Sequence, residues 1–172
     1  MPASRDNPTT PLGASETSKA THFTQGQSPA LFEYSFRIAL HDVDAAGLIF
    51  FGNLFRHLHD AYECWMETLG FPIDALIRQG EILLPLIHAE ADYRAPMRHG
   101  ARIRIQLGLD QLAATRFTLT YRCLNQDNTL AATALTRHCC IDPERHKPTP
   151  IPGNLAKALV SGVLVSGVNE GA

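Results

Sequence analysis

The stretch from Leu40 to Gly70, LHDVDAAGLIFFGNLFRHLHDAYECWMETLG, limits what this chain can fold into more than any other. Phe50, Leu54, Leu58, Ala61, Trp65 and Leu69 step by four, four, three, four and four, which keeps them on one face of a 3.6-residue helix. Phe51, Phe55, Tyr62 and Met66 fall beside them and widen the apolar stripe. Asn53, Arg56, Asp60, Glu63 and Glu67 are left for a narrow wet side. A helix of this kind needs apolar cover over most of its circumference, so the rest of the chain is expected to enclose it. Gly70, followed by Phe71 and Pro72, ends it as a glycine cap and a proline do. Just ahead of it, Asp42 and Asp44 alternate with Val43 and run into Ala45, Ala46 and Gly47, so two carboxylates lie beside a flexible bend. The chemistry is placed there.

The flanking segments read as strands. Leu31 to Leu40 alternates Phe32, Tyr34, Phe36 and Ile38 against Glu33, Ser35, Arg37 and Ala39, a half-buried strand that leads into the Asp turn. Ile73 to Gly80 is a short second helix or turn. Leu83 to Arg94 is strand-like and stops at Ala95-Pro96, where proline cannot donate to a ladder. Ala101 to Leu109 and Thr115 to Leu124 alternate sharply, and Asn125 to Asn128 supplies a hairpin turn before a last long strand from Thr129 to Ile141. Asp142 to Arg145 is a turn, Thr149 to Pro152 a rigid extended piece, and Asn154 is placed to cap a short helix through Leu159. The expected class is α+β: an antiparallel sheet of about five strands wrapped around one long central helix.

The first 30 residues are rich in Ser, Thr, Pro, Gly and Ala and show no period, so 1–30 is expected to be a disordered leader. A plastid transit peptide shares that composition, but Arg5 is the leader's only arginine and the segment is not amphipathic. The domain proper is expected over 31–160, with 161–172 a frayed tail. At 172 residues and 45% hydrophobic composition the chain suits one domain with a substantial core. A net charge of -2 gives no electrostatic footprint for nucleic acid. No apolar run approaches the about 18 residues of a membrane span, and a basic, apolar secretory start is absent, so a cytoplasmic protein with no membrane partner is expected. Cys64, Cys123, Cys139 and Cys140 show no C-x-x-C spacing and read as reduced, mostly buried small residues.

Asp42, Asp44, Gly47, Phe51 and Asn53 form the pattern D-x-D-x-x-G-x-x-x-[FY]-x-N at a strand-to-helix junction. With this layout the chain resembles the hot-dog-fold acyl-CoA thioesterases of the 4-hydroxybenzoyl-CoA thioesterase family. Ala61 to Trp65 (AYECW), Leu84 to Pro96 (LPLIHAEADYRAP) and His138 to Pro148 (HCCIDPERHKP) resemble its 1,4-dihydroxy-2-naphthoyl-CoA hydrolase branch, which serves phylloquinone and menaquinone synthesis. The resemblance runs from about Phe32 to Pro152. It implies an aromatic acyl-CoA substrate with no separate cofactor, and a homodimer or homotetramer with active sites between subunits.

On spacing alone, Asp44 is a helix cap. The resemblance makes it instead the carboxylate that attacks the thioester carbonyl or activates a water. It also assigns the oxyanion donor to the backbone amide of Phe51, with Gly47 letting the backbone approach the substrate. Phe51 as plain core is the alternative, and both hold together if the ring packs while the N–H works. Asp42 reads as structural, holding the turn. His41, His88 and His138 border the strands and are candidates for contact with an aromatic acyl group. Arg116, Arg137, Arg145, His146 and Lys147 are candidates for the CoA phosphates. His57 and His59 sit two apart on the helix and face differently, and with no E-x-x-H or H-x-x-x-H pattern no metal is expected. Other acyl specificities, and a non-catalytic acyl-CoA-binding module, remain alternatives. An enoyl-thioester hydratase on the same fold needs a His beside its acid, and no histidine follows Asp44 in the turn.

Overall fold

The computed structural model describes residues 30–162 and 165–168. The leader, up to residue 29, and the tail residues 163–164 and 169–172 lie outside the described residues. β1 (Phe32–Arg37) buries Phe32, Tyr34 and Phe36 and turns Glu33, Ser35 and Arg37 outward, as its alternation predicts. A single 3₁₀ turn (Leu40–Asp42) and the loop 43–49 then lead into α1 (Phe51–Thr68). α2 (Ile73–Gln79) stops at Gly80, whose φ of 66° is left-handed.

β2 (Leu86–Tyr93), β3 (Arg102–Leu112), β4 (Arg116–Leu124) and β5 (Leu130–Cys139) follow. A small hairpin of β6 (Ile141–Asp142) and β7 (Lys147–Pro148), α3 (Gly153–Ser161) and β8 (Val165–Val168) complete the chain. The main sheet runs β2-β5-β4-β3-β1-β8. β1 to β5 pair antiparallel, giving the five-stranded hot-dog sheet that the periodicity and the resemblance imply. β8, in the stretch expected to fray, lies parallel to β1 as a sixth strand. The strand expected to begin at Leu83 starts at Leu86, while Leu83 makes an isolated bridge to Ile141. Pro152 is the N-cap residue of α3, so Asn154 sits in its first turn, where its side chain accepts the Leu155 N–H.

The core lies between one face of α1 and the inner face of the sheet. Leu54, Leu58, Ala61, Tyr62, Trp65 and Met66 are buried against Phe32, Ile103, Ile105, Phe117 and Tyr121. The helix enters this core only at its second turn. Phe50 and Phe51, expected on the apolar stripe, are exposed, the latter at 66%. The buried slot in between goes to His57, which stacks on Phe36 with ring centroids 3.7 Å apart.

The register fixes two opposite ends of the sheet. Arg37 faces Arg102, Leu124 faces Leu130, and Tyr93 faces Ala132 at one end; Leu86 and Phe117 both face His138 at the other. At about 3.4 Å per residue, the ends of β4 are roughly 25 Å apart. The loop 43–49 belongs to the first end, since Ile49 N–H donates to Met97 O (2.9 Å) and His99 N–H to Gly47 O (3.2 Å). All four cysteines are free, and among the described residues no helix is long and apolar enough to cross a membrane.

Candidate active site

The two aspartates of the turn point opposite ways. Asp42 is 1% exposed, and its Oδ2 accepts the Ala39 N–H at 2.8 Å. Its Oδ1 accepts a hydrogen bond from Arg56 and lies 3.2 Å from His57 Nε2. Burial pushes the Asp42 carboxyl pKa up, but the Ala39 amide, His57 and Arg56 together more than offset this and leave it below its ordinary value. Its backbone oxygen accepts the Phe50 N–H (2.8 Å) and the Asn53 side-chain amide (3.1 Å). Asp42 is therefore the pin between turn and helix. Asn53 and Arg56, read from sequence as wet-side residues, serve that pin.

Asp44 is exposed. Its Oδ1 accepts the Ala46 N–H at 2.8 Å and lies 3.4 Å from the Leu48 N, while its own N–H donates to Leu48 O (2.8 Å). Asp44 shapes its own turn and does not cap α1. The N-cap residue of α1 is Phe50, with no side-chain cap bond. Gly47 closes the turn with a φ of 73°, its N–H donating to Asp44 O at 3.0 Å. A Cβ there would meet nothing within 4 Å, so the left-handed backbone, not space, calls for glycine.

The open end of α1 is the complementary half of the site. Phe50 N–H is taken by Asp42 O and Asn53 N–H by Phe50 O, whereas the Phe51 and Gly52 N–H groups have no hydrogen-bond partner among the described residues. Free N–H groups at a helix start, backed by the helix dipole, suit an incoming or developing negative oxygen. Tyr93, at the end of β2, donates its hydroxyl to Phe51 O and ties the first turn to the sheet. A contact across 42 positions leaves no trace in local pattern, and the sequence gives no signal for Tyr93.

The other expected residues do not join Asp44 within one chain. His41 is exposed beside Asp42, at 3.7 Å from Oδ1. His88 is exposed on β2 and pairs with Glu90 at 3.0 Å. Arg116 opens β4, Arg145 lies 3.8 Å from Asp142, and Lys147 is in β7, all toward the far end of the sheet. His146 occupies the same hairpin with a φ of 52°, and Arg137 donates to Thr118 Oγ1 at 3.3 Å. Among the described residues no cluster of three His, Cys, Asp or Glu is placed to hold a metal.

His138 is buried in a ring stack, 4.4 Å from Tyr62 and 5.1 Å from Phe117 between centroids. Burial pulls its pKa down to about 4, against a smaller upward pull from Leu84 O. The sign follows directly. Below about pH 6.5 the unfolded chain takes up a proton that the folded chain refuses until about pH 4, so stability falls as pH drops through that window. The loss is expected to reach about 3 kcal/mol, and thermal melts from pH 7 to 4 on wild type and His138→Gln check it. A variant that loses stability as steeply as wild type refutes the assignment.

The chain's matches to known proteins cover most of this unit. Residues 38–159 match the family model of the thioesterase-like superfamily. The chain belongs to the thioesterase-like superfamily. This thioesterase is 37% identical over 131 residues to a 1,4-dihydroxy-2-naphthoyl-CoA hydrolase of Rippkaea orientalis, across 75% of this chain and 95% of the relative. The structure of a 1,4-dihydroxy-2-naphthoyl-CoA thioesterase from Synechocystis superposes with a TM-score of 0.72 at 32% identity, covering 75% of this chain and 95% of that one. A gentisyl-coenzyme A thioesterase superposes at 0.66 and 25% identity, over 74% and 98%. The family membership makes the chain a thioesterase-type hydrolase, and the neighbours place it on the hot-dog fold.

Proposed function

We propose that this thioesterase hydrolyses an aromatic acyl-CoA, 1,4-dihydroxy-2-naphthoyl-CoA, to the free acid and CoA in quinone biosynthesis. The observation that carries the reading is the pairing of an exposed Asp44 carboxylate with an uncapped helix start whose Phe51 N–H is free. The Asp44 carboxylate either attacks the thioester carbon or takes the proton of a water that attacks it. The Phe51 N–H receives the oxygen as it turns negative, and the C–S bond breaks to release CoA as a thiolate that takes up the proton Asp44 accepted or one from water. Where Asp44 itself attacks, water then hydrolyses the Asp44–acyl anhydride to the free acid and restores the carboxylate. Relatives that hydrolyse the naphthoyl thioester support the choice of acyl group.

An exposed carboxylate needs water thinned around it, and a second copy of the chain supplies that cover. β2 is an edge strand, with Leu86, Ile87 and Tyr93 exposed along it. Antiparallel pairing of two β2 strands about a two-fold axis sets the far end of one sheet beside the Asp44 end of the other. That arrangement brings Arg116, Arg145 and Lys147 within reach of the CoA phosphates, although in one chain they lie away from Asp44. The expected species is a dimer or tetramer, read by light scattering.

Thiol release from a panel of acyl-CoAs tests the substrate. kcat/KM for the dihydroxynaphthoyl thioester is expected to exceed that for palmitoyl-CoA by about 100-fold or more, the scale a pocket shaped for one ligand supplies. Comparable rates assign the chain to a general acyl-CoA branch. Thiol release from none of the panel leaves a binding module.

A further inference from the structure

The first turn of α1 is held from outside the helix by one side chain. Tyr93 closes β2 at the sheet end that carries the Asp44 turn, and its hydroxyl donates to Phe51 O. The bond joins residues 42 positions apart, from the edge strand to the helix start. Burial lifts the Tyr93 phenol above its ordinary pKa, so at neutral pH the hydroxyl keeps its proton and donates.

Phe51 O belongs to the same planar peptide unit as the Gly52 N–H. A donor on that oxygen fixes the tilt of the plane and polarises it, which makes the N–H the stronger donor. In a helix the two ends of a peptide point opposite ways along the axis, so the Gly52 N–H faces out of the helix start beside the Phe51 N–H. Neither has a hydrogen-bond partner among the described residues. Gly52 is not in the left-handed region, so its backbone does not call for glycine, a poor helix former. A Cβ there would stand 3.1 Å from Phe50 Cε1, where the exposed Phe50 ring folds against the first turn. The missing side chain makes room for that ring and leaves the peptide open to close approach.

We propose that Tyr93 is a positioning residue for the hydrolysis: through Phe51 O it sets the Phe51–Gly52 peptide so that the Gly52 N–H joins the Phe51 N–H on the thioester oxygen as it turns negative. One donor becomes two. The proposal rests on the Asp44 and Phe51 reading above, and adds the second donor and the side chain that aims it. The oxygen carries more charge in the transition state than in the bound thioester, so the bond from Tyr93 acts on the chemical step and little on binding.

Tyr93→Phe keeps the ring and deletes the hydroxyl. Single-turnover thiol release, from whichever acyl-CoA of the panel wild type cleaves fastest, is expected to slow by about tenfold or more at saturation. Outright removal of an oxyanion donor costs roughly 10² to 10³, and here the donor is loosened but kept. The half-saturating concentration is expected to stay within about twofold of wild type, the split of a group felt only in the transition state. Tm is expected to fall by no more than about 5 °C, since the hydroxyl lost is partly exposed. A smaller loss of rate, or one carried by weaker binding, overturns the positioning role. A larger fall in Tm shows a strut of the fold instead, and overturns it as well. Asp44→Asn measured alongside separates the two readings. If Asp44→Asn stays active, the site is misplaced and the donor pair goes with it; if it is inactive while Tyr93→Phe matches wild type, only the role of Tyr93 fails.

Discussion

Asp44→Asn is expected to lower kcat by about 10² to 10⁴ if the carboxylate acts as a base, and by more if it is the nucleophile. The exposed position makes this a clean test. Asparagine keeps a side-chain oxygen for the Ala46 N–H, and the backbone bonds from Asp44 to Leu48 and from Gly47 to Asp44 do not involve the side chain. The turn is therefore expected to survive, with Tm and assembly close to wild type. What is lost is the negative charge that attacks or accepts a proton. Retention of a third or more of wild-type kcat, or loss of activity only through unfolding, refutes the catalytic role of Asp44 and leaves it as a turn-shaping residue.

Asp42→Ala should do the reverse, costing about 3 kcal/mol of stability and roughly 6 to 12 °C in Tm. The buried carboxylate holds the Ala39 N–H, Arg56 and His57 at once, and its removal leaves those donors facing each other. Arg56 is half exposed, so water recovers part of its share and the figure stays below that of a fully buried pair. The pH dependence carries a definite sign. Because the folded pKa of Asp42 lies below its ordinary value, its contribution is complete above about pH 4 and fades as pH falls through the folded pKa. Wild type should thus lose this increment in strong acid, and Asp42→Ala should lack that part of the acid limb. A variant that melts within about 1 °C of wild type at pH 7 shows that the turn is held by its backbone bonds alone.

The contrast between these two aspartates marks where sequence stops. Both precede the same helix, two positions apart, and local pattern reads both as structural, Asp42 holding the turn and Asp44 capping the helix. Burial of Asp42 and His57 at the sheet end, with the Ala39 N–H donating to the carboxylate, made one aspartate a buried pin, while the bend at Gly47 left the other facing out.

Sequence by itself determined the elements and their order. The 3.6 period set α1, the alternation set β1, β3 and β4, a proline and a hairpin turn bounded β2 and β5, and a glycine before a helix set the Asp42–Gly47 turn, because each of these depends on neighbours within a few residues. Only the tertiary structure decided that α1 enters the core at Leu54 and leaves Phe50 and Phe51 uncovered. It also decided that Tyr93 reaches Phe51 O, that Tyr62 buries a hydroxyl with no partner among the described residues, and that Arg116 and Lys147 lie toward the opposite end from Asp44. Those outcomes depend on strand register, and register is chosen by which faces bury together across the whole sheet, a quantity that no window of consecutive residues contains.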